Sequence, residues 1–540
     1  MRVRRTFNAR VSAVLVALVA VVVLSSCGLA PRAVDAAGRL SVDGTPGPTT
    51  SGRSSDQQQL QSRPAPIPSD VSPDLQRFYN QRLQWEKCQV GGSFECATLQ
   101  VPLDYANPGG KVIELAVLRV RAKDQSRRLG SLVLNPGGPG GSGVEYAAAA
   151  PWVVSRAVLD RYDVVGFDPR GVGQSSPVKC VTNAQMDHYL SIDGSPDTAR
   201  ERQDLLQTAR QFAQGCESRS GELLPHVSTI DAAKDMDVLR SALGDKELTY
   251  LGKSYGTFLG ATYAELFPKR AGRLVLDGAL DPTLSARELG LEQAKGFEVA
   301  LRAFIEDCVR RSDCPLGGSV SQAYKSLDGF LAKTDTTPLA TGQPRKLTQA
   351  LAVTGIIMPL YVKEYWPRLR TALRMALNGD GSRLLSLADE YAERGPDGKY
   401  RSNSGEAILA VNCLDRPDIT SVKQAMAEEP AFRAASPRFG PFILWGSLTC
   451  AEWPVKPTGR PGAIHATGAK PILVVGTTRD PATPYEWAVR LAKQLDSGVL
   501  LTREGDGHTA YMSGNHCIDQ AVDRFLIEGK PPKNGTKCPG

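Results

Sequence analysis

Short apolar runs separated by turn residues recur along the chain from residue 112 onwards. The first of them, 112–118, alternates in part between apolar and other residues, as a strand does. The others are continuously apolar, as buried strands are: 130–134, 162–167, 248–251, 273–276 and 471–475. Helical spacing lies between several of them, for example over residues 231–244. This alternation predicts an α/β fold with a mostly parallel sheet and helices on both faces.

The pattern changes between residues 283 and 456, where strand signals give way to helical segments such as 365–373. We predict that 283–456 is a helical cap inserted into an α/β core formed by residues 74–282 and 457–540. An insertion between two strands would lie over the carboxyl ends of the sheet, where ligands bind in open α/β folds. A chain of 540 residues is long enough for such a core and insertion.

The N-terminus has the character of an export signal. Four arginines and no acid precede residue 27, and the apolar run 11–24 is shorter than the roughly 20 residues of a membrane-spanning helix. The run ends in Leu-Ser-Ser-Cys, which resembles the bacterial lipobox, where the signal is cut before a cysteine that carries lipid. We therefore expect residues 1–26 to be removed and Cys27 to be palmitoylated, which tethers the protein to the cell membrane. Plain secretion is the alternative, and Arg4-Arg5 leaves a twin-arginine route open.

Residues 27–73 are rich in Ser, Gly, Pro and Gln, which predicts a flexible tether. Beyond Cys27 the chain has ten cysteines, an even number that an exported protein can keep oxidised. Sequence does not determine their connectivity, and sequential pairing is the simplest choice: Cys88 with Cys96, Cys180 with Cys216, Cys308 with Cys314, Cys413 with Cys450, and Cys517 with Cys538.

Charge and cysteine spacing exclude two classes of partner. The formal net charge is +7, of which the four arginines of the signal contribute 4, leaving 7 − 4 = +3. No dense basic stripe suggests a nucleic-acid partner. Short Cys-x-x-Cys or Cys/His spacings are absent from the sequence, so we expect no metal, and nothing in the sequence calls for a cofactor.

A candidate nucleophile lies in the sequence Gly-Lys-Ser-Tyr-Gly at 252–256, which follows the strand pattern 248–251 and precedes a helical run. This strand–turn–helix context is that of a nucleophile elbow. Glycines flank the serine because side chains in so tight a turn would collide with the neighbouring strand and helix. The pattern predicts that Ser254 is the nucleophile and that the backbone N–H of Tyr255 donates to the oxyanion.

A serine nucleophile needs a base, and the chain contains five histidines. The order serine, acid, histidine of this fold places the base after the last strands, which excludes three of them: His188, His226 and His465. His508 lies in a glycine-rich loop that can turn the ring towards the serine, whereas His516 is adjacent to Cys517. We predict that His508 is the base.

The third catalytic group should be a carboxylate in a loop after a strand, between the serine and the histidine. Asp480 meets this condition because it closely follows the apolar run 471–475. Its carboxylate would hold the imidazole in the required tautomer and stabilise its cation. Asp506 is the competitor, but only two residues separate it from His508, which would aim it poorly.

A glycine-rich loop at 135–143, Asn-Pro-Gly-Gly-Pro-Gly-Gly-Ser-Gly, directly follows the apolar run 130–134. Such a loop can supply the second backbone donor to an oxyanion. A phosphate-binding loop is the rival interpretation, but the Gly-Lys-Ser/Thr ending of that motif is missing.

Spaced motifs carry a family resemblance from about residue 85 to residue 538. They lie at 85–88, 96–105, 135–143, 166–173, 252–256 and 276–278. Together they resemble the exported actinobacterial tripeptidyl aminopeptidases, which are relatives of proline iminopeptidase with a helical cap. The resemblance implies the α/β-hydrolase fold, removal of short N-terminal peptides, and the same three catalytic residues. It also implies that Gly138, the second glycine of Gly-Gly-Pro-Gly, is the oxyanion donor, although Pro136 replaces a histidine of the relatives.

The residues and the resemblance predict a serine peptidase that acts on peptide or protein N-termini through an acyl-enzyme on Ser254. A carboxylesterase or lipase acting on envelope lipids or acyl esters is the alternative, because the same groups hydrolyse esters and fold does not dictate substrate.

An aminopeptidase must also hold the protonated α-amine of its substrate, and a desolvated cation needs a carboxylate partner. We predict that this partner lies in the cap at Asp415, because a disulfide at Cys413 and the proline at Pro417 would stiffen its backbone. Glu406 and Glu364 are the alternatives.

Overall fold

A computed structural model describes residues 65–88, 94–417 and 419–540. The predicted signal, Cys27 and most of the predicted tether lie outside the described residues. Among the described helices, none combines the length and the apolar character needed to cross a membrane.

Ten strands form one sheet in the order β1-β2-β3-β5-β4-β6-β7-β8-β9-β10. The pairs β1–β2, β2–β3 and β3–β5 are antiparallel, and all the other neighbours are parallel, which confirms the mostly parallel sheet. The strands are β1 (Glu86–Lys87), β2 (Glu95–Pro102), β3 (Val112–Val120), β4 (Gly130–Asn135), β5 (Tyr162–Phe167), β6 (Leu248–Lys253), β7 (Ala271–Asp277), β8 (Ile472–Arg479), β9 (Gly498–Asp506) and β10 (Thr536–Cys538).

The central strands are continuously apolar because both of their faces are buried. In β4, Val133 packs into one apolar cluster, while Leu132 and Leu134 pack into another. The same alternation recurs in β7, where Leu274 and Leu276 share the first cluster and Val275 lies in the second. Successive side chains of a strand point to opposite faces, so the two clusters lie on opposite sides of the sheet.

Helices cover the sheet and form the rest of the molecule. Those of the core region are Gln76–Tyr79, Gly143–Ala148, Ala150–Val153, Arg156–Arg161, Asn183–Ser191, Ala199–Ser220, Thr229–Ala242, Tyr255–Leu266, Tyr485–Gln494 and His516–Glu528. Those between β7 and β8 are Ala286–Val309, Val320–Thr336, Gln349–Leu360, Trp366–Leu377, Ser382–Tyr391, Ser404–Asp415, Val422–Ala435, Gly440–Gly446 and Leu448–Ala451. Short 3₁₀ helices lie at Pro73–Leu75, Gln125–Arg127, Leu224–His226, Pro268–Arg270 and Lys363–Tyr365.

The helices between β7 and β8 have an apolar core of their own, separate from the two clusters of the sheet. Phe304, Leu327, Ile356 and Leu384 belong to it, each from a different helix. This segment follows β7 and precedes β8, as the sequence pattern predicts for an inserted cap.

A second segment, between β5 and β6, also joins the cap, although the domain boundaries predicted from sequence assign it to the core. Asp187 receives hydrogen bonds of 2.6 and 2.8 Å from Arg394, and the hydroxyls of Tyr189 and Thr449 lie 2.8 Å apart. Any α/β fold has helices between its strands, so their placement against the cap depends on contacts that no local pattern reveals.

Five disulfides link the cysteines of the described ranges. They join Cys88 to Cys96, Cys180 to Cys216, Cys308 to Cys314, Cys413 to Cys450, and Cys517 to Cys538. The fourth bridge connects two helices of the cap, Ser404–Asp415 and Leu448–Ala451.

Candidate active site

Ser254 lies in the turn between β6 and the helix Tyr255–Leu266. Its φ of 56° is in the left-handed region, which is strained for a residue with a side chain. A side chain at Gly252 would place its Cβ 2.3 Å from the carbonyl oxygen of Gly256, so this turn requires glycine. The backbone N–H of Ser254 donates to the carbonyl of Asp277 at 3.0 Å, and the hydroxyl lies at the positive end of the helix dipole.

His508 follows β9, and contacts from three directions fix its loop. Its backbone N–H donates to the carbonyl of Tyr361 at 2.8 Å, and the Tyr361 ring meets the imidazole edge-on with the centroids 5.3 Å apart. A Cβ on Gly278 would lie 3.3 Å from Cε1 of His508, which shows how closely that backbone approaches the ring. The neighbouring Thr509 has a φ of 66°.

Asp480 is buried and points both carboxylate oxygens at the imidazole. Each oxygen lies 2.9 Å from Nδ1 of His508. The backbone N–H groups of Ala482 and Thr483 donate to Oδ1 at 2.9 Å, and that of Thr509 donates to Oδ2 at 3.2 Å. These donors orient the carboxylate and stabilise its charge in a buried position.

Asp506, the competing acid, binds other partners. It forms salt bridges with Arg479 and, at 2.9 Å, with Lys363. Burial alone would raise the pKa of Asp506, but hydrogen bonds from these two cations lower it. Asp506 therefore fixes the loop from outside, and Asp480 is the carboxylate that contacts the imidazole.

Asp277 is a buried residue that the sequence analysis did not assign to the site, although it belongs to the motif at 276–278. Its carboxylate accepts hydrogen bonds from the backbone N–H groups of Ala510 and Tyr511 at 2.9 and 3.0 Å. Its own carbonyl holds the N–H of Ser254. Asp277 thus connects the serine turn to the loop that carries His508. No hydrogen bond from Ser254 Oγ is found within the described ranges, and catalytic hydrogen bonds often tighten only with substrate.

The glycine-rich loop after β4 lies against the serine turn. A Cβ on Gly137 would come within 2.9 Å of Ser254 Cβ and 3.1 Å of the Tyr255 nitrogen. Gly137 and Gly138 both have positive φ, 96° and 112°, which L-residues with side chains rarely adopt. The carbonyl of Gly137 accepts from the N–H of Gly141 at 3.1 Å, which closes the loop on itself.

Asp415 does not occupy the position that the sequence analysis expected. Its carboxylate is buried and accepts from the backbone N–H and the hydroxyl of Thr229, at 2.8 and 2.5 Å. Burial raises the pKa of Asp415 to about 6. Its oxygens therefore hold the start of the helix Thr229–Ala242, whose Thr229 hydroxyl also contacts that of Tyr255. These contacts argue against Asp415 as a free amine ligand and also exclude an ion pair with Arg416, with which it forms no salt bridge in the described residues.

The two alternative acids lie in different environments. Glu364 is exposed, on the 3₁₀ helix Lys363–Tyr365. Glu406 is half-buried on a cap helix whose first turn touches the glycine-rich loop, since a Cβ on Gly140 would lie 3.1 Å from Ala407 Cβ. Burial raises the pKa of Glu406 to about 7.

A serine on a strained strand-to-helix turn, a histidine and a buried carboxylate lie together on a mostly parallel sheet. This fold and this site define a serine hydrolase of the α/β-hydrolase class. Within the described ranges, no group of His, Cys, Asp or Glu side chains is arranged to hold a metal ion.

Comparison with known proteins places the chain within that class. Residues 436–538 match the family model described as TAP-like protein. Serine protease Hip1 of Mycobacterium tuberculosis is 41% identical over 482 residues, covering 85% of this chain and 91% of that protein. Carboxylesterase B of Mycobacterium tuberculosis is 40% identical over 454 residues, with coverages of 82% and 86%. Tripeptidyl aminopeptidase of Streptomyces lividans is 32% identical over 471 residues, with coverages of 84% and 86%. The chain belongs to the tripeptidyl aminopeptidase-like family of α/β-hydrolase enzymes.

Proposed function

We propose that this enzyme is a serine peptidase that removes short peptides, of about three residues, from the N-termini of polypeptides. The single observation that carries the proposal is the bonding of the Asp480 carboxylate to His508, next to the strained turn of Ser254. The similarity to Hip1 and to the tripeptidyl aminopeptidase supports a peptide rather than another acyl substrate.

In the first half of the reaction, His508 takes the proton of the Ser254 hydroxyl as the oxygen attacks the carbonyl carbon of the scissile peptide bond. The negative charge that develops on the carbonyl oxygen is met by the backbone N–H groups of Gly138 and Tyr255. His508 then gives its proton to the departing amine, the C–N bond breaks, and the N-terminal peptide remains as an ester on Ser254.

In the second half, water attacks that ester while His508 again takes a proton. The N-terminal peptide leaves with a carboxylate, and Ser254 recovers its hydroxyl proton. Asp480 keeps a proton on Nδ1, so that Nε2 is the free base, and it stabilises the imidazolium in both halves. The N–H donors around Asp480 keep it ionised in a buried position.

Glu406 is the carboxylate that we assign to the substrate α-amine. It lies on the cap helix that touches the glycine-rich loop, and it is partly accessible, whereas Asp415 is bound to Thr229. A carboxylate at a fixed distance from Ser254 would let the enzyme measure length from the N-terminus.

Export and membrane attachment complete the proposal. The signal at 1–26 and the lipobox-like cysteine at Cys27 support a lipoprotein of the cell envelope, and the five disulfides are suited to an oxidising compartment. Replacement of Cys27 by Ser should move the protein from the membrane fraction to the soluble fraction.

The alternative function is a carboxylesterase, which the 40% identity to carboxylesterase B favours. Side-by-side kinetics on a free-amino tripeptide anilide, its N-acetylated form and a short acyl ester separate the two functions. A peptidase of the proposed kind has the highest kcat/KM on the free-amino anilide and loses most of it on acetylation. Turnover of the ester alone would overturn the proposal.

A further inference from the structure

The cap contains a cavity of about 160 Å³, lined mainly by apolar side chains such as Leu289, Phe432 and Leu444. Two charged residues also line it, Arg287 and Arg416, and none of the described lining residues is a carboxylate. Arg287 is partly exposed and forms a salt bridge with Glu428 at 2.6 Å, which leaves Arg416 as the uncompensated cation of the wall.

Arg416 differs from the other buried arginines of the described ranges. The others are each held by a carboxylate: Arg170, Arg240, Arg270 and Arg370. Arg416 is only 6% exposed and forms no salt bridge in the described residues, and its Nε and Nη2 have no hydrogen-bond partner. A buried guanidinium without a partner is costly to a folded protein, and a ligand carboxylate would offset that cost.

The two nitrogens concerned are those that grip a carboxylate from the side. Elsewhere in this protein, Nε and Nη2 of one arginine bind both oxygens of one carboxylate, at distances between 2.6 and 2.9 Å, in three pairs: Arg170 with Asp235, Arg394 with Asp187, and Arg311 with Asp307. Arg416 presents the same pair of donors. Its chemistry therefore suits the planar, two-oxygen acceptor of a carboxylate.

The cavity adjoins the elements that carry the active site. The Arg416 guanidinium lies 4.4 Å from the centroid of the Phe258 ring, one turn after Ser254 on the same helix. On another wall, Gln293 donates to the carbonyl of Ala482 at 2.8 Å, within the loop that holds Asp480. A group bound by Arg416 can therefore belong to a substrate that is also bound at Ser254.

We propose that Arg416 binds a carboxylate of the peptide substrate in this cavity through a bidentate pair of hydrogen bonds. The inference rests on the peptidase function proposed above. The cavity is smaller than the 300 to 1,000 Å³ typical of pockets for whole drug-sized ligands, so it accommodates one short side chain or chain end. The carboxylate can come from an acidic side chain near the substrate N-terminus or from the C-terminus of a short peptide.

Binding to the Ser254→Ala variant tests the proposal without turnover, so that failure to cleave a peptide does not affect it. The probes are the tripeptide amides with Glu at the first, second or third position and alanine elsewhere, each compared by calorimetry with its Gln counterpart. Trialanine acid is compared with trialanine amide. We expect at least one acidic probe to bind about tenfold tighter, or more, than its neutral partner. The pair that differs identifies the source, and no difference in any pair overturns the proposal.

Substitution at Arg416 then links the preference to this cavity. Arg416→Met should abolish the acidic preference and should leave the melting temperature unchanged or higher, because it removes an unpaired buried charge. Arg416→Lys keeps the charge without the fork and should retain only part of the preference, and it also serves if the Met variant fails to fold. Lys295→Met, at an exposed site on a helix that lines the cavity, controls for the loss of one positive charge and should behave as the parent. An undiminished preference in folded Arg416→Met would contradict the proposal.

Discussion

Both carboxylate oxygens of Asp480 lie 2.9 Å from Nδ1 of His508. This relationship fixes which ring nitrogen carries the proton and leaves Nε2 as the base. It depends on backbone donors from Ala482, Thr483 and Thr509 that neutralise and aim the carboxylate. The loops after β8 and β9 thus act as one unit.

Asp480→Asn should keep the shape of this unit but favour the wrong tautomer of His508. We expect kcat to fall by roughly 10⁴, as in other serine–histidine–aspartate triads, with KM little changed. Steady-state kinetics on a free-amino tripeptide anilide measure the loss. Asp506→Asn is the matched control, because Asp506 pairs with Arg479 and Lys363 and should cost far less. Equal losses in both variants would point to a general disturbance of the loop.

Much of this arrangement could be predicted from sequence, because the serine turn, the strands around it and the glycine-rich loop have strong local patterns. Strand β9 could not, because its second half, Thr502–Asp506, carries charged and glycine residues, and pairing with β8 and β10 decides its structure. The direction of Asp415 could not be predicted either, since it depends on Thr229, which is 186 residues away in the chain.

The role of Glu406 predicts a specific dependence on the substrate α-amine. The pKa of Glu406 is raised to about 7 by burial, so the carboxylate becomes able to bind an ammonium group as pH rises through about 7. We expect Glu406→Gln to raise KM for free-amino tripeptide anilides by about tenfold or more and to leave a small neutral ester nearly unaffected. N-acetylation of the anilide should mimic the substitution. Efficient cleavage of the acetylated substrate by the unaltered enzyme would remove the amine anchor from the mechanism.

Asp415 should make stability fall with rising pH. Its pKa is about 6 in the folded protein, above the ordinary aspartate value of 3.8, so the folded state holds the proton more tightly than the unfolded state. The free energy of unfolding should therefore decrease as pH rises from about 4 through about 6, by about 2 to 3 kcal/mol from this group. Urea unfolding of Asp415→Asn across this range should show a flatter profile. Glu364→Gln, at an exposed acid, is the control, and an unchanged profile in Asp415→Asn would contradict the assignment.

The cap disulfide between Cys413 and Cys450 should contribute more to stability than the one between Cys308 and Cys314. The first spans 37 residues and the second spans 6, and a longer closed loop restricts the unfolded chain more. Loop-closure entropy predicts about 4 kcal/mol for the first and about 2 kcal/mol for the second. Urea unfolding of the two double Cys→Ser variants compares them. Peptide mapping without reductant that finds free thiols at Cys413 and Cys450 would refute the longer bridge.

The central claim is that Ser254 cleaves polypeptides a short, fixed distance from their N-termini. Mass spectrometry of a free-amino decapeptide incubated with the enzyme and with Ser254→Ala tests it most directly. The account predicts successive release of N-terminal tripeptides by the enzyme and none by the variant, with the remaining chain shortened three residues at a time. Tripeptide release that persists in Ser254→Ala, or fragments that arise only from internal cleavage, would contradict it.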